Sequence, residues 1–190
     1  MKVRDSGMPA LSYWESLFDV PLILDKMLID DTINLLIEIG SGYATFTLPA
    51  ANKISGKIIA YDIETTLIEV AKNRMESDQV LNIDFILRDV IGRGTGLENN
   101  VADYVMLFNI LHHERPDELL DEAYRILKSR GKVGLIHWRS DIETPRGPEL
   151  SIRPKPEQIT SWLIKAGFQI FSSEPISLLP WHYGVIGVKA

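Results

Sequence analysis

The stretch LLIEIGSGYATFTLP, residues 35–49, joins an apolar strand to a glycine-rich turn and indicates the type of fold. Gly40 and Gly42 form a G-x-G motif, and such a turn lets the backbone approach a ligand closely. The third glycine of the dinucleotide-binding fingerprint would fall at position 45, which is Thr45. The negative charge of Glu38, just before the turn, would repel a pyrophosphate and attract an ammonium or sulfonium group. The stretch therefore favours a zwitterionic, partly cationic ligand over a pyrophosphate.

Strand-like segments alternate with helix-like segments along the chain, which predicts a parallel sheet built from βαβ units. The strand-like segments are almost continuously apolar, as in strands that are covered on both faces. We therefore predict an α/β fold with a doubly wound, mostly parallel sheet. The five predicted parallel strands cover residues 33–39, 57–63, 83–89, 102–108 and 132–138.

The remaining segments predict helices between the strands, a helical segment before the first strand and a helix after the fifth. One helix covers residues 64–75, one runs from Pro116 to a stop at Gly131, and one runs from Pro156 to Gly167. The tail, residues 168–190, predicts two strands in a hairpin. We therefore divide residues 1–190, a single domain, into a helical lid (1–32), a ligand-binding core (33–139) and a C-terminal helix and hairpin (140–190).

The predicted lid carries SYWE, residues 12–15, which has the pattern of a capping box with Ser12 as the cap. Tyr13, Trp14 and Phe18 would then share one helix face, either as core or as a cover over the ligand site. We favour the cover, because this segment precedes the first strand and has no separate domain to pack into.

The composition excludes several classes of function. The chain has 190 residues, a formal net charge of −6 and no cysteine, which excludes disulfides, thiolate zinc sites and cysteine nucleophiles. Scattered basic residues give no sign of a nucleic-acid partner. No apolar run approaches the roughly 18 residues that span a membrane, and the N-terminus has no secretory pattern. We expect a cytoplasmic protein.

Polar residues end the successive strands, where the crevice of an open α/β sheet lies. Asp62 offers two acceptor oxygens, which suits the two hydroxyls of a ribose; the alternative is a helix N-cap. Asp89 is suited to accept from an adenine amino group; the alternative is a solvated strand-end carboxylate. Asn109 follows the fourth strand. Together with Glu38 these residues give four polar strand ends, which are stronger evidence for a ligand site than any one of them.

These segments together resemble the class I S-adenosylmethionine-dependent methyltransferases, in particular the small-molecule type 11 group. The resemblance covers roughly residues 33–139, and PEQITSWLIKAGF near the C-terminus is also similar. Two departures are Ala44, where the family often has a third glycine, and Arg130, where a glycine is common. The motifs that carry the resemblance are EIGSG, YDIE, RDV, LFNILHH and LKSRGKVGLIHW.

The resemblance implies a seven-stranded sheet with an antiparallel last strand, and it implies S-adenosylmethionine as the cofactor. Glu38 and the glycine turn would hold the methionine moiety, Asp62 the ribose, Asp89 the adenine, and Asn109 the region beside the sulfonium. The reaction would be in-line methyl transfer to a small or medium-sized acceptor. The full predicted cofactor set is Glu38, Gly40, Ser41, Gly42, Asp62, Ile63, Asp89, Val90 and Asn109.

No catalytic residue is assigned from the sequence. His112, His113 and His137 are candidates for a general base, although the first two also fit a role in shaping their loop. His182 is predicted to be structural, and no spacing resembles a metal site. The segment 139–154 contains three arginines that could grip an acidic acceptor, but a solvated, proline-stiffened loop is favoured.

Two other functions remain open at this point. A nucleotide-binding oxidoreductase is disfavoured by Thr45 and Glu38. A non-catalytic protein that retains the methyltransferase fold would also keep the cofactor residues. The short lid implies either an open pocket or a homo-oligomer in which a second subunit completes it.

Overall fold

The computed structural model describes residues 7–190. Residues 1–6 lie outside the described residues; they belong to the predicted lid and to the N-terminus that is predicted to lack a secretory pattern. The strands are β1 (Leu35–Ile39), β2 (Lys57–Asp62), β3 (Ile83–Leu87), β4 (Ala102–Phe108), β5 (Leu127–Trp138), β6 (Phe168–Ile170), β7 (Ile176–Leu178) and β8 (His182–Lys189). The helices are α1 (Leu11–Glu15), α2 (Val20–Lys26), α3 (Thr47–Ala51), α4 (Thr65–Ser77), α5 (Pro116–Ile126) and α6 (Pro156–Lys165), with a 3₁₀ turn at Leu150–Ile152.

The strands form one mixed sheet in the order β3-β2-β1-β4-β5-β8-β6, and β7 pairs with β8. Strands β1 to β5 are parallel, and β8 is antiparallel to β5. The doubly wound, mostly parallel α/β fold is therefore confirmed. The strand number is corrected from seven to eight, because the tail contains the additional three-residue strand β7. This short strand lies between Pro175 and Pro180 and pairs only with β8, so the local sequence gives little sign of it.

Both faces of the sheet are covered, as the apolar strands predicted. Leu36 and Ile37 are neighbours on β1, yet they belong to separate buried clusters. One cluster includes Leu24 and Leu48 from α2 and α3, and the other includes Leu119 from α5. Alternate side chains of a strand point to opposite faces, so this division follows from the pleat.

The chain order reverses between β1 and β4, which are adjacent in the sheet although β2 and β3 intervene in the sequence. Ligands of open α/β sheets bind at the carboxyl ends of the strands beside such a switch point. Gly40, Asp62, Asp89 and Asn109 all follow or end these strands. The architecture therefore brings them to one edge.

Two predicted helix boundaries are wrong. The predicted capping box does not form, because Ala10 is the N-cap of α1 and provides no side-chain hydrogen bond. Ser12 and Glu15 lie inside that helix, and Glu15 instead pairs with Arg74 at 2.6 Å. Helix α2 has its own cap, Asp19, which accepts from the backbone of its first turn.

Helix α5 ends at Ile126 rather than at Gly131. Leu127 pairs with Ala102, and a register irregularity follows before the regular β4–β5 ladder. Lys128 forms an ion pair with Asp103 at 2.7 Å. These contacts with β4 make this polar segment the start of a strand, although the sequence pattern assigns it to the end of a helix. Within residues 7–190, the helices are too short or too polar to cross a membrane.

Candidate functional site

A cavity of about 540 Å³ opens at the carboxyl ends of the parallel strands. This volume lies within the range of small-molecule sites in proteins. Met8 and Trp14 line it from the N-terminal segment, and Gly147 and Pro148 line it from the loop after β5. Eight of the nine predicted cofactor residues line the cavity: Gly40, Ser41, Gly42, Asp62, Ile63, Asp89, Val90 and Asn109.

The glycine turn requires glycine at its first position. Gly40 has φ +84°, and a Cβ added there would lie 2.7 Å from the Ile110 side chain. The Gly40 and Ser41 amides both donate to the Tyr61 carbonyl of β2, at 2.8 and 3.1 Å. Ala44 has φ +61°, a conformation that favours glycine, at the position where the related family often has one. The turn is therefore held in place before any ligand binds.

Glu38 is the one predicted cofactor residue that does not line the cavity. It is 2% exposed, and its carboxylate accepts from the Thr47 hydroxyl of α3. The pKa of Glu38 is raised to about 8: burial is the main cause, the Thr47 hydrogen bond opposes the shift, and the charge of Asp62 adds to it. Its effect on a ligand would therefore act through charge across the turn rather than through direct contact.

Asp62 ends β2 and lines the cavity. One carboxylate oxygen accepts from the Gly42 amide at 2.8 Å, and the other accepts from the Glu64 amide at 3.0 Å. Burial raises the pKa of Asp62, while these amides oppose the shift. Glu64, not Asp62, is the N-cap of α4. Each carboxylate oxygen can accept a second hydrogen bond, so Asp62 retains acceptor capacity toward the cavity.

Asp89 and Val90 lie just beyond β3, which ends at Leu87, two residues earlier than predicted. Asp89 is half-buried and accepts from the Ile91 amide at 3.0 Å. Ile63 is 46% exposed although it is a large apolar side chain. This side of the cavity therefore combines a carboxylate with apolar surface.

Several buried polar atoms around the glycine turn have no hydrogen-bond partner within the described part of the chain. They are the hydroxyls of Ser41 and Thr45 and both polar atoms of the Asn109 side chain. Asn109 has φ +58°, and its amide donates to the Ile136 carbonyl at 2.8 Å. Buried polar atoms are rarely left without partners, so these atoms indicate a polar ligand. The ammonium and carboxylate of S-adenosylmethionine would supply the missing donors and acceptors, so the residues fit that cofactor.

The histidine candidates separate into two groups. His112 and His113 line the cavity, whereas His137 and His182 do not. His137 Nδ1 lies 3.2 Å from the Trp138 carbonyl and must donate to it, because a carbonyl oxygen only accepts. In neutral His137, Nε2 is then an acceptor, and it lies 3.3 Å from His112 Nδ1. The partners therefore assign the proton to Nδ1 in both rings.

His137 and His182 are structural side chains of the core. Burial lowers the pKa of each to about 3. His182 packs against Trp138 with ring centroids 4.1 Å apart and against Phe18 at 4.6 Å. The structural role predicted for His182 agrees with this packing, and His137 is too deeply buried to contact a ligand.

Residues 139–152 of the loop after β5 are exposed or half-buried, which agrees with the predicted solvated loop; Arg153 at its end is an exception. Arg153 is 8% exposed, and its guanidinium donates to the carbonyls of Pro148 and Arg139 at 2.7 and 2.8 Å. Arg139 pairs with Asp141 at the surface. Arg146 lines the cavity and donates to the Gly7 carbonyl. Of the three arginines, only Arg146 is placed where it could meet a ligand.

Sequence reasoning pointed to Trp14 but missed three other aromatic side chains that line the cavity. Phe108 and Trp138 are the last residues of β4 and β5 and line the cavity, as does Phe46 beside the glycine turn. Their strand-end positions were readable from the sequence, but their apolar character looked like ordinary core. No group of three or more side chains suited to a metal ion occurs among residues 7–190.

Comparisons with known proteins agree with this geometry. The family described as methyltransferase domain matches residues 36–131, about half of the chain. An uncharacterised methyltransferase-like protein of Schizosaccharomyces pombe is 30% identical over 122 residues, 64% of this chain and 44% of that protein. A ubiquinone/menaquinone biosynthesis C-methyltransferase of a Ruegeria species is 29% identical over 85 residues, 44% of this chain and 33% of that protein. The chain thus spans less than half the length of these relatives.

The fold is shared with solved structures. The crystal structure of a SAM-dependent methyltransferase from Aquifex aeolicus superposes with a TM-score of 0.82, covering 95% of this chain and 94% of that one at 18% identity. This likeness shows the fold, and the match over residues 36–131 covers the strands that carry the glycine turn, Asp62, Asp89 and Asn109. The chain belongs to the methyltransferase domain family, as its strand-end motifs predicted.

Proposed function

We propose that this chain binds S-adenosylmethionine in the cavity and transfers its methyl group to a small or medium-sized acceptor by in-line displacement. The observation that carries this proposal is the set of buried, unpartnered polar atoms at the glycine turn and Asn109, next to the carboxylate of Asp62.

The two hydroxyls of the ribose would donate to Asp62. Its oxygens already accept from the Gly42 and Glu64 amides, which hold the carboxylate in place. The remaining lone pairs are available for two further hydrogen bonds. An adenine would lie toward β3, where Asp89 could accept from its amino group and Ile63 and Val90 supply apolar surface.

The methionine moiety would lie over the glycine turn, where the Ser41 and Thr45 hydroxyls need partners. Glu38 lies behind this turn, so its charge would favour the ammonium and the sulfonium without touching them. Asn109, at the end of β4, would lie beside the sulfonium.

The displacement itself needs little from the protein, since the thioether leaves as a neutral group. Holding donor and acceptor in line supplies much of the acceleration. A base is needed only where the acceptor loses a proton. His112 and His113 line the cavity and remain the candidates, whereas His137 does not reach it.

The test is calorimetric titration of S-adenosylhomocysteine into the native protein, an Asp62→Ala variant and a matched Asp84→Ala variant. Asp84 is also a strand aspartate, but it pairs with Lys57 at the surface, away from the cavity. Loss of hydrogen bonds between a carboxylate and two hydroxyls should weaken binding at least about tenfold in Asp62→Ala. Asp84→Ala should bind as the native protein does. Equal affinity of all three proteins would refute the ribose assignment. Transfer of a labelled methyl group to a metabolite panel separates an enzyme from a non-catalytic protein with this fold.

A further inference from the structure

The position of the acceptor follows from the sheet order, given S-adenosylmethionine placed as proposed above, on which this inference rests. The carboxylates of Asp62 and Asp89 belong to β2 and β3, on one side of the switch point. Neighbouring strands lie about 4.8 Å apart, so the end of β5 is about 14 Å from the end of β2. With the adenosine over β2 and β3 and the sulfonium near Asn109, the transferred methyl group faces the ends of β4 and β5.

The wall at this end of the cavity is aromatic. Phe108 and Trp138 end β4 and β5, and Phe46 packs against Phe108 with ring centroids 5.1 Å apart. Trp14 of α1 adds a fourth ring to this end of the cavity, with its centroid 6.3 Å from that of Trp138. Phe46, Phe108 and Trp138 are at most 5% exposed, so their packing holds these rings in fixed orientations. We name Trp14, Phe46, Phe108 and Trp138 the aromatic wall.

The surroundings of the aromatic wall are also mostly apolar. Met8 and Ile152 line the cavity, and Gly147 approaches so closely that an added Cβ would lie 2.8 Å from the Trp138 ring. The polar exceptions are His112 and His113 after β4 and, in the loop after β5, Arg146, which donates to the Gly7 carbonyl, and the exposed Glu149. A charged acceptor seated on the aromatic wall would exchange water for ring surface, and unpaired buried charge is costly.

We propose that the methyl acceptor is an uncharged, planar aromatic molecule whose ring packs on the aromatic wall. A flat ring can pack on the half-buried Trp14 and touch the small exposed parts of Phe46 and Phe108, and aromatic pairs contribute beyond the area they bury. A saturated molecule of the same size would bury similar area but lose those contacts. An alkyl amine or a phosphorylated alcohol would also lose water around its charge.

The test uses 1-naphthol as the aromatic probe and decahydro-1-naphthol as its saturated counterpart, each titrated into the native protein saturated with S-adenosylhomocysteine. Quenching of tryptophan fluorescence and calorimetry report binding. We expect 1-naphthol to bind about tenfold more tightly than its counterpart, as one or two ring contacts would give. Phosphoethanolamine and dimethylethanolamine are the charged probes and should not bind measurably.

Two variants test whether 1-naphthol binds at the aromatic wall. Trp14→Ala should weaken 1-naphthol binding about tenfold and leave the affinity for S-adenosylhomocysteine within a factor of about two. Trp162→Phe is the matched control, because Trp162 lies on α6 and does not line the cavity. Equal binding of the two naphthols, tighter binding of a charged probe, or an unchanged Trp14→Ala variant would overturn the proposal while leaving the cofactor assignment intact. Failure of S-adenosylhomocysteine itself to bind would instead overturn the proposed function and this inference with it.

Discussion

Replacing Glu38 by glutamine should remove a pH dependence from S-adenosylmethionine binding. Glu38 is buried beneath the glycine turn, and burial raises its pKa to about 8. A glutamine has nearly the same volume and its amide oxygen can still accept from the Thr47 hydroxyl. The substitution therefore removes the ionisation and little else.

The magnitude follows from this pKa. With a pKa of about 8, roughly nine tenths of Glu38 is protonated at pH 7 in the ligand-free protein. A sulfonium and an ammonium nearby favour the carboxylate, so binding should release close to one proton. Ionising Glu38 at pH 7 costs about 1.4 kcal/mol, which is a factor of about ten in Kd. The Kd should thus fall about tenfold from pH 6 to pH 7 and level off above pH 8.

The assay is calorimetric titration at pH 7 in two buffers with different ionisation enthalpies, from which the number of released protons is obtained. The ammonium of the ligand also titrates, and the Glu38→Gln variant subtracts its contribution. S-adenosylhomocysteine, which lacks the sulfonium charge, should release fewer protons than S-adenosylmethionine. Equal proton release from the native protein and the variant, or a native Kd that is constant between pH 6 and pH 8, would refute the reasoning.

The raised pKa of Glu38 also predicts an effect on the stability of the ligand-free protein. A carboxyl group with a raised folded-state pKa binds more protons in the native protein between pH 4.5 and 8 than in the unfolded chain. Its contribution to stability is therefore complete below pH 4.5 and lost as pH rises to 8, by an amount on the order of 5 kcal/mol. Glu38→Gln should gain stability relative to the native protein across this window in urea unfolding. A constant difference between the two proteins would contradict the raised pKa.

Three further predictions concern the turn, the loop and the core. Gly40→Ala should abolish cofactor binding, because the new methyl group would lie 2.7 Å from an isoleucine side chain. Gly92→Ala is the control: Gly92 has a similar φ of +80°, but the nearest atom to an added Cβ is 4.0 Å away, so this variant should still bind the cofactor. Calorimetric titration measures the binding of both variants. Arg153→Met should lower the free energy of unfolding in urea by about 2–4 kcal/mol, since it leaves two partly buried carbonyls without a donor. Arg139→Met at the surface should change it little. Because the pKa of His182 is lowered to about 3, the native protein loses stability as pH falls below 6.5. His182→Phe should reduce this loss of unfolding free energy between pH 6 and pH 4 by about 1.4 kcal/mol per pH unit. Parallel curves of unfolding free energy against pH for the two proteins would contradict this.

The sequence predicted the sheet well because buried parallel strands are read from continuous apolar runs. Strand β4 has the predicted bounds, and β1, β2 and β3 differ by two residues or fewer at each end. Eight of the nine residues predicted to bind the cofactor also line one cavity, and their binding of the cofactor stays a prediction. They lie together because the βαβ unit forces the carboxyl ends of its strands to one edge.

The errors lie where a partner in space decides the structure. Strand β7 has three residues and exists through its pairing with β8. The start of β5 reads as a helix end, but pairing with β4 and the Lys128–Asp103 ion pair make it a strand. Arg153 carries no local signal for its role, because its acceptors are backbone carbonyls of other loop residues.

The role of Glu38 needed the structure as well. The sequence placed a carboxylate beside the turn, but only the packing of Thr47 shows that it lies behind the cavity wall. The aromatic wall was equally hidden, since Phe108 and Trp138 read as the apolar ends of buried strands. Which face of a strand end meets a cavity depends on the loops that cover it.

The central claim is that this cavity binds S-adenosylmethionine, and parallel calorimetric titrations of the native protein with S-adenosylmethionine and with NAD test it most directly. We predict saturable one-to-one binding of S-adenosylmethionine, stronger at pH 8 than at pH 6, and no measurable binding of NAD. Saturable binding of NAD with none of S-adenosylmethionine would contradict the account.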